Sequence, residues 1–267
     1  MAPQLLTGKV CAITGGVTGI GRAIALAYVS HGARIAINHL GDESSSKHFE
    51  SMVAEITSSN KDIKAEDVLI EVPGNIGTQE VAIELITKTV ARWGRLDVFV
   101  SNAGICQFAE FLDITSELFT STVSTNLTGA FYAIQAAARA MSTQSPRGGS
   151  IIGISSISAL VGGAQQGHYT PTKAGVLSLM QSSACALGKY NIRCNALLPG
   201  TVRTQLNEVD LADDGKRKYM EGRIPLGRTG EPRDLAGPAV FLASEELSRY
   251  VTGAQLLVDG GLFVNLQ

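Results

Sequence analysis

The chain has 267 residues, 45% of them hydrophobic and 17% charged, enough apolar sequence to bury one sizeable core or two small ones. Its 22 basic and 24 acidic side chains nearly cancel, and no basic block stands out, which argues against a nucleic-acid partner. The cysteines (Cys11, Cys106, Cys185, Cys194) lack C-x-x-C spacing and read as reduced thiols with no metal. The start "MAPQLLTGKV" shows no signal-peptide pattern, and the uncharged stretch from Gly148 to Thr172 holds too much Gly, Ser and Gln to cross a bilayer, so a soluble, cytoplasmic protein is expected.

In chain order, "KVCAIT" (Lys9–Thr14) predicts a first strand and "GRAIALAYVSHG" a helix ended by Gly32. "RIAIN" (Arg34–Asn38) predicts the second strand, followed by a polar helix around Ser44–Ser58. "VLIEV", "LDVFVS", "SIIGIS", "IRCNALL" and "QLLVD" continue the strand series, with helical patterns between them. The strands are continuous apolar runs rather than alternating ones, as expected when both faces of a parallel sheet are covered. Alternating strands and helices predict one doubly wound α/β domain of the Rossmann type spanning residues 1–267, with no internal repeat or linker. The charged segment Thr204–Arg223 fits either a surface helical pair or a mobile substrate lid.

"TGGVTGIG" (Thr14–Gly21) joins the first strand directly to the first helix. Gly15, Gly19 and Gly21, with Thr18 and Ile20 between them, permit a tight bend and close approach of the backbone to a pyrophosphate. The helix N-terminus then offers free N–H groups to the anion. At the end of the second strand an acidic residue would mark NAD and an arginine NADP, but the sequence reads "INHLGDE". Asn38 and His39 occupy that position; His39 fits a contact to the ribose or a 2′-phosphate and fits a solvated loop equally well. Arg22, just after the glycine loop, is either a phosphate partner or a solvated helix residue.

With these motifs in place the chain resembles the short-chain dehydrogenase/reductase family over essentially its whole length. The motifs stand in family order: "TGGVTGIG", "SNAG" (Ser101–Gly104), "NLTG" (Asn126–Gly129), "GISS" with Ser156, "YTPTK" with Tyr169 and Lys173, and "LPGTVRT" (Leu198–Thr204). The resemblance implies a seven-stranded parallel sheet, a nicotinamide cofactor, and a catalytic set of Ser156, Tyr169, Lys173 and Asn126. A free phenol has a pKa of about 10, and an ammonium one helical turn away should lower it. Tyr169 is then the general base in oxidation, Ser156 donates to the reacting oxygen, Lys173 tunes the phenol and bonds the nicotinamide ribose, and Asn126 holds a water that links Lys173 to solvent. The family pattern also assigns Asn102, Ala103 and Gly104 to the adenosine side and Asn75 and Ile76 to the adenine. Pro199, Gly200, Val202 and Thr204 fall to the nicotinamide. Asn75 stands where the family usually has Asp.

Longer stretches such as "RKYMEGRIPLGR" and "GAQLLVDGGLFVNLQ" resemble family members that oxidise the anomeric C1 hydroxyl of a deoxysugar to a lactone. That likeness implies a small-molecule sugar substrate and NAD as cofactor, with NADP possible. Gln107, Ser158 and Gln166 are candidate sugar contacts beside Ser156 and Tyr169, with Cys106, Gln165 and His168 near the expected pocket. Two rival functions use the same residues: an NADPH-dependent carbonyl reductase of another small polar substrate, and a dinucleotide sensor without turnover. The family usually forms tetramers. Small apolar residues in the helical stretches Leu112–Met141 and Tyr169–Tyr190, and the apolar end "GGLFVNLQ", predict packing faces for a homotetramer.

Overall fold

The structure is a computed structural model that describes residues 4–59 and 64–265. Seven strands form one sheet in the order β3-β2-β1-β4-β5-β6-β7: β1 Val10–Thr14, β2 Arg34–His39, β3 Leu69–Pro73, β4 Val98–Ser101, β5 Gly149–Ile154, β6 Ile192–Pro199 and β7 Gln255–Val258. Every adjacent pair is parallel. The order reverses beside β1, which neighbours β2 on one side and β4 on the other; this switch point is where open α/β sheets hold their ligands.

The helices are α1 Gly19–Ser30, α2 Glu43–Ser59, α3 Ala65–Val68, α4 Gln79–Trp93, α5 Ser116–Val123 and α6 Gly129–Thr143. They continue with α7 Thr170–Leu187, α8 Glu208–Ala212, α9 Asp214–Arg223, α10 Ala236–Ala243 and α11 Glu245–Ser248. Pleating sends successive strand side chains to opposite faces, so each apolar run feeds two cores. Cys11, Ile13, Ile35, Ile37, Val98 and Val100 pack with Ile24, Tyr28 and Met52 of α1 and α2 and Leu242 of α10. Ala12, Ala36, Phe99 and Ile151 pack on the other face with Leu85, Ala137 and Met180 of α4, α6 and α7. Tyr28, fully buried, donates its hydroxyl to Ala239 O at 3.0 Å and ties α1 to α10.

The long helical pattern predicted from Leu112 is interrupted. Phe111–Asp113 forms a 3-10 turn, Thr115 caps α5 by accepting from Leu118 N at 3.2 Å, and a π turn at Ser124–Thr128 separates α5 from α6. Such turns widen the helix by one residue and are frequent at functional sites. This one carries the buried Asn126. The segment Thr204–Arg223 contains two short helices, α8 and α9, with Asp213 capping the second through Lys216 N at 2.9 Å. Near the C-terminus, Leu262 is buried and Asn265 Nδ2 donates to Arg223 O at 2.9 Å. The chain end therefore docks on the base of α9 as far as residue 265; Leu266 and Gln267 lie outside the described residues.

Candidate active site

The carboxyl ends of β1, β2, β4, β5 and β6 open into one cavity of about 1060 Å³. At its centre β1 and β4 are stitched together. Thr14 Oγ1 accepts from Asn102 N at 2.9 Å and Ala103 N at 3.0 Å, and Asn102 Nδ2 donates to Gly15 O at 2.8 Å. Gly15 and Gly19 have positive φ, and a Cβ on Gly15 would lie 3.0 Å from Ala103 Cα. Gly21 lies behind the loop rather than on the cavity wall: a Cβ there would meet Gly15 O at 2.3 Å, so only glycine lets the helix start so close to the turn. Thr18 precedes α1 without a capping side chain, and the first turn holds no acidic residue. Those N–H groups and the bare glycine cradle fit the pyrophosphate of a dinucleotide.

Of the residues expected at the cofactor, Gly15, Thr18, Gly19, Ile20, His39, Asn75, Ile76, Asn102, Ala103 and Gly104 line this cavity. So do Tyr169, Lys173, Pro199, Gly200, Val202 and Thr204. Asn75 Oδ1 accepts from Gly77 N at 2.9 Å, and its second lone pair is available for a ligand donor.

At the other end stand the catalytic candidates. Ser156 follows β5, its Oγ accepting from Ser158 N at 3.1 Å, and its hydroxyl is close enough to the Tyr169 phenol to act on its acidity. Tyr169 caps α7, and Pro171 fits the first turn, where its missing N–H costs nothing. Lys173 is buried; its Nζ donates to Ile154 O at 3.0 Å and lies 5.6 Å from the centroid of the Tyr169 ring. Ser155, absent from the sequence-based set, fixes this turn by donating from Oγ to Lys173 O at 2.7 Å.

These contacts change the expected electrostatics. The ammonium lies over the Tyr169 ring, and in the cofactor-free chain burial, rather than the i,i+4 spacing, governs the phenol. Burial pushes Tyr169 above its ordinary value of 10, the Cys106 sulfur adds to that, and the nearby Ser156 hydroxyl opposes it. Burial also brings Lys173 from 10.5 down to about 8. Burial shifts each group toward its uncharged form.

Asn126, 1% exposed, lies behind the cavity wall. Its Oδ1 accepts from Ile105 N at 2.8 Å, and its Nδ2 donates to Ile105 O at 2.9 Å and Thr172 Oγ1 at 3.2 Å. The side chain is thus a clip between the Ile105 loop and α7, and both its amide hydrogens are used. A Cβ on Gly104 would touch Asn126 Oδ1 and Lys173 Nζ at 3.4 Å each, so Gly104 leaves the space between them open.

Expectations at the ribose, the phosphate and the sugar pocket are corrected. The alternation of β2 aims His39 at α2, on the face of Ile35 and Ile37. Its ring stacks on Phe49, Nδ1 accepts from Gly41 N at 3.1 Å, and Nε2 meets Glu71 Oε2 at 2.9 Å, so neither nitrogen is free for a ribose. Arg22 turns to α2 as well, bonding His48 O at 2.9 Å and Glu55 at 2.7 Å, away from the phosphate cradle. Gln107 is exposed and lies outside the cavity lining, whereas Ser158 and Gln166 line it. Gln166 Nε2 donates to Cys106 Sγ at 3.7 Å, and the side chain folds over Gly163, where a Cβ would meet its Oε1 at 2.5 Å. His168 is buried among protein atoms off the cavity wall.

A switch-point cavity with a bare glycine cradle at one end and a buried Ser–Tyr–Lys cluster at the other is the architecture of nicotinamide-dependent oxidoreductases. The family model described as enoyl-(acyl carrier protein) reductase matches residues 15–263, and the chain belongs to the short-chain dehydrogenase/reductase family. Among curated proteins it is 61% identical over 263 residues to an L-rhamnose-1-dehydrogenase of Scheffersomyces stipitis, covering 98% of this chain and 99% of that one. It is 53% identical over 264 residues to an L-rhamnose 1-dehydrogenase (NAD(P)(+)) of a Sphingomonas species, covering 99% and 100%. Among solved structures, a short-chain type dehydrogenase/reductase from Mycobacterium marinum is 35% identical and superposes with a TM-score of 0.87 over 96% of each chain.

Proposed function

We propose that this chain oxidises the anomeric C1 hydroxyl of L-rhamnose to L-rhamnono-lactone, using NAD and accepting NADP. The observation that carries the reading is the Ser156–Tyr169–Lys173 cluster in a cavity shared with the glycine cradle, in a chain 61% identical to an L-rhamnose-1-dehydrogenase. Gly15, Gly19 and the first turn of α1 would hold the cofactor's phosphates, and Lys173 and the Pro199–Thr204 segment its nicotinamide end. When bound, the oxidised cofactor supplies the hydride acceptor and a positive charge within the cavity.

Tyr169 Oη takes the proton of the C1 hydroxyl while Ser156 Oγ holds the same oxygen. Because burial holds the free phenol neutral, the site is weakly basic until a positive charge enters it. The fixed ammonium of Lys173 then helps to hold the phenolate. Asn126 serves this proton route by clamping Ile105 and Thr172 around Lys173. Ser158 and Gln166 supply hydrogen bonds to the sugar. The neutral hydroxyl, amide and thiol groups of Ser156, Ser158, Gln166 and Cys106 in the lining suit a polyol. NAD is preferred only moderately, because no residue at the end of β2 presents a free acid or a free guanidinium to the ribose.

The enzyme is proposed to work as a homotetramer in the cytoplasm. Support for assembly comes from exposed Phe119 and Phe131 on α5 and α6 and from Leu226, Tyr250 and Val264 near the chain end. Cofactor reduction followed at 340 nm with L-rhamnose, L-lyxose, L-mannose and simple alcohols, with each cofactor, tests the reading. L-rhamnose should give the highest kcat/KM, and NAD should outperform NADP by a modest ratio. A better rate in the reductive direction on an unrelated carbonyl compound, with no oxidation of any sugar, would replace this reading with the reductase alternative.

A further inference from the structure

We infer that Asp210, on α8, is the residue that reads adjacent hydroxyls of the sugar and sets specificity for a polyol; this rests on the substrate reading above. The segment that carries α8 and α9 contributes Leu206, Asp210, Leu211, Lys216 and Met220 to the lining of the cavity that holds Tyr169. Asp210 is the only carboxylate among the described residues that line the cavity. The sugar-contact candidates among the other lining residues, Ser156, Ser158, Cys106 and Gln166, are neutral. Neutral hydroxyls and amides both give and accept, and they discriminate a vicinal diol poorly. A carboxylate only accepts, through two oxygens whose spacing matches two neighbouring O–H groups, and such charge-assisted bonds are the stronger kind.

The carboxylate is held where it could do this. Asn207 Oδ1 accepts from Thr204 N at 3.0 Å and its Nδ2 donates to Val202 O at 2.9 Å, while Leu211 N donates to Asn207 O at 3.0 Å. The turn before α8 therefore hangs directly from the end of β6. Arg203, on the same stretch, bonds Glu221 of α9 at 3.0 Å and fixes the second helix. Asp210 Oδ1 is met by Lys216 Nζ at 2.7 Å, which leaves Oδ2 as the open acceptor. The side chain is one-third exposed and Lys216 more so, and an ion pair in that setting is worth little and can be shared with a ligand. Its charge reaches across the cavity: the Cys106 thiol, raised first by burial, is raised further by Asp210.

The test compares wild type, Asp210→Asn and Lys216→Met on L-rhamnose, on L-rhamnose lacking one ring hydroxyl, and in binding of the reduced cofactor by its fluorescence. Asp210→Asn keeps the shape and removes the charge. It should lose about 10- to 100-fold in kcat/KM for L-rhamnose, mostly through KM, with cofactor Kd unchanged. The loss should shrink on the deoxy analogue whose missing hydroxyl is the one recognised, and Lys216→Met should lose less. An Asp210→Asn enzyme within about twofold of wild type overturns the inference. Equal losses in both variants, or a parallel loss of cofactor affinity, reassign the pair to holding α8 and α9 together and also overturn it. If wild type prefers another sugar, the L-rhamnose reading fails while the same ratios on that sugar still decide the role of Asp210. A wild type that oxidises no polyol overturns both.

Discussion

Replacing Lys173 by Met should stabilise the cofactor-free protein at neutral pH while abolishing turnover. The ammonium is fully enclosed, and its pKa falls from 10.5 to about 8 because burial penalises the charge. At about 1.4 kcal/mol per pH unit, that drop is worth roughly 3 kcal/mol. Linkage sets the sign. Between about pH 8 and 10.5 the unfolded lysine holds a proton that the folded one has lost, so stability rises with pH across this window. Below about pH 8 both states are protonated and the folded state carries the full penalty. Methionine removes the penalty together with the hydrogen bond to Ile154 O, a bond worth about 1 kcal/mol for a neutral amine. The variant should therefore be roughly 2 kcal/mol more stable than wild type at pH 7 and roughly 1 kcal/mol less stable above pH 10.5. Urea unfolding of the cofactor-free proteins at pH 7 and at alkaline pH measures both differences, and other titrating groups cancel between the two proteins. A Lys173→Met protein destabilised equally at both pH values would show that the lysine is not buried as a strained cation, and the electrostatic account of the site would fail with it.

Tyr169→Phe should bind the reduced cofactor with wild-type Kd and lose nearly all turnover, since the ring still fills its place; retained activity would remove the phenol from the mechanism. A Cβ in Gly21→Ala would meet Gly15 O and Asn102 Nδ2, at 2.3 and 2.5 Å, so the variant should lose about 1–3 kcal/mol of stability and bind cofactor more weakly, and an unfolding midpoint equal to wild type would contradict the packing. His39→Ala should lower the unfolding midpoint by breaking the link to Glu71 and Gly41, with little change in the ratio of kcat/KM for NAD to that for NADP. A ratio that moves tenfold, about 1.4 kcal/mol, would place the ring at the ribose after all.

The order of strands and helices was legible because the inner strands β1, β2, β4, β5 and β6 are largely buried apolar runs and each of the turns at Gly15, Gly32 and Gly94 is marked by a glycine of positive φ. That Tyr169 and Lys173 would meet was legible because they share a helix face at fixed spacing, and both line the cavity with Ser156. What spacing does not carry is depth. The same i,i+4 pair is an exposed ion-assisted pair on a wet helix, and here it is a buried phenol under a buried amine, which reverses the direction of the phenol's shift. His39 illustrates the same gap on a strand. Which face it takes depends on the pairing of β2 with β3, and its partner Glu71 belongs to a strand 32 residues on. The contacts of Asn126 were not legible either, because a π turn in what reads as one unbroken helix turns its amide toward Ile105 and Thr172. Asp210 was hidden in a charged segment whose mean pattern is that of any solvated surface; only the folded chain shows that it lines the cavity.

The central claim is that this chain removes hydride from the anomeric carbon of L-rhamnose with Tyr169 as the base. L-rhamnose carrying deuterium at C1 tests it most directly. The account predicts that the label appears in the reduced nicotinamide and that the sugar product is the lactone, formed in equal amount to the reduced cofactor and missing with Tyr169→Phe. Label retained in the sugar product, or cofactor reduction that leaves C1 untouched, would contradict it.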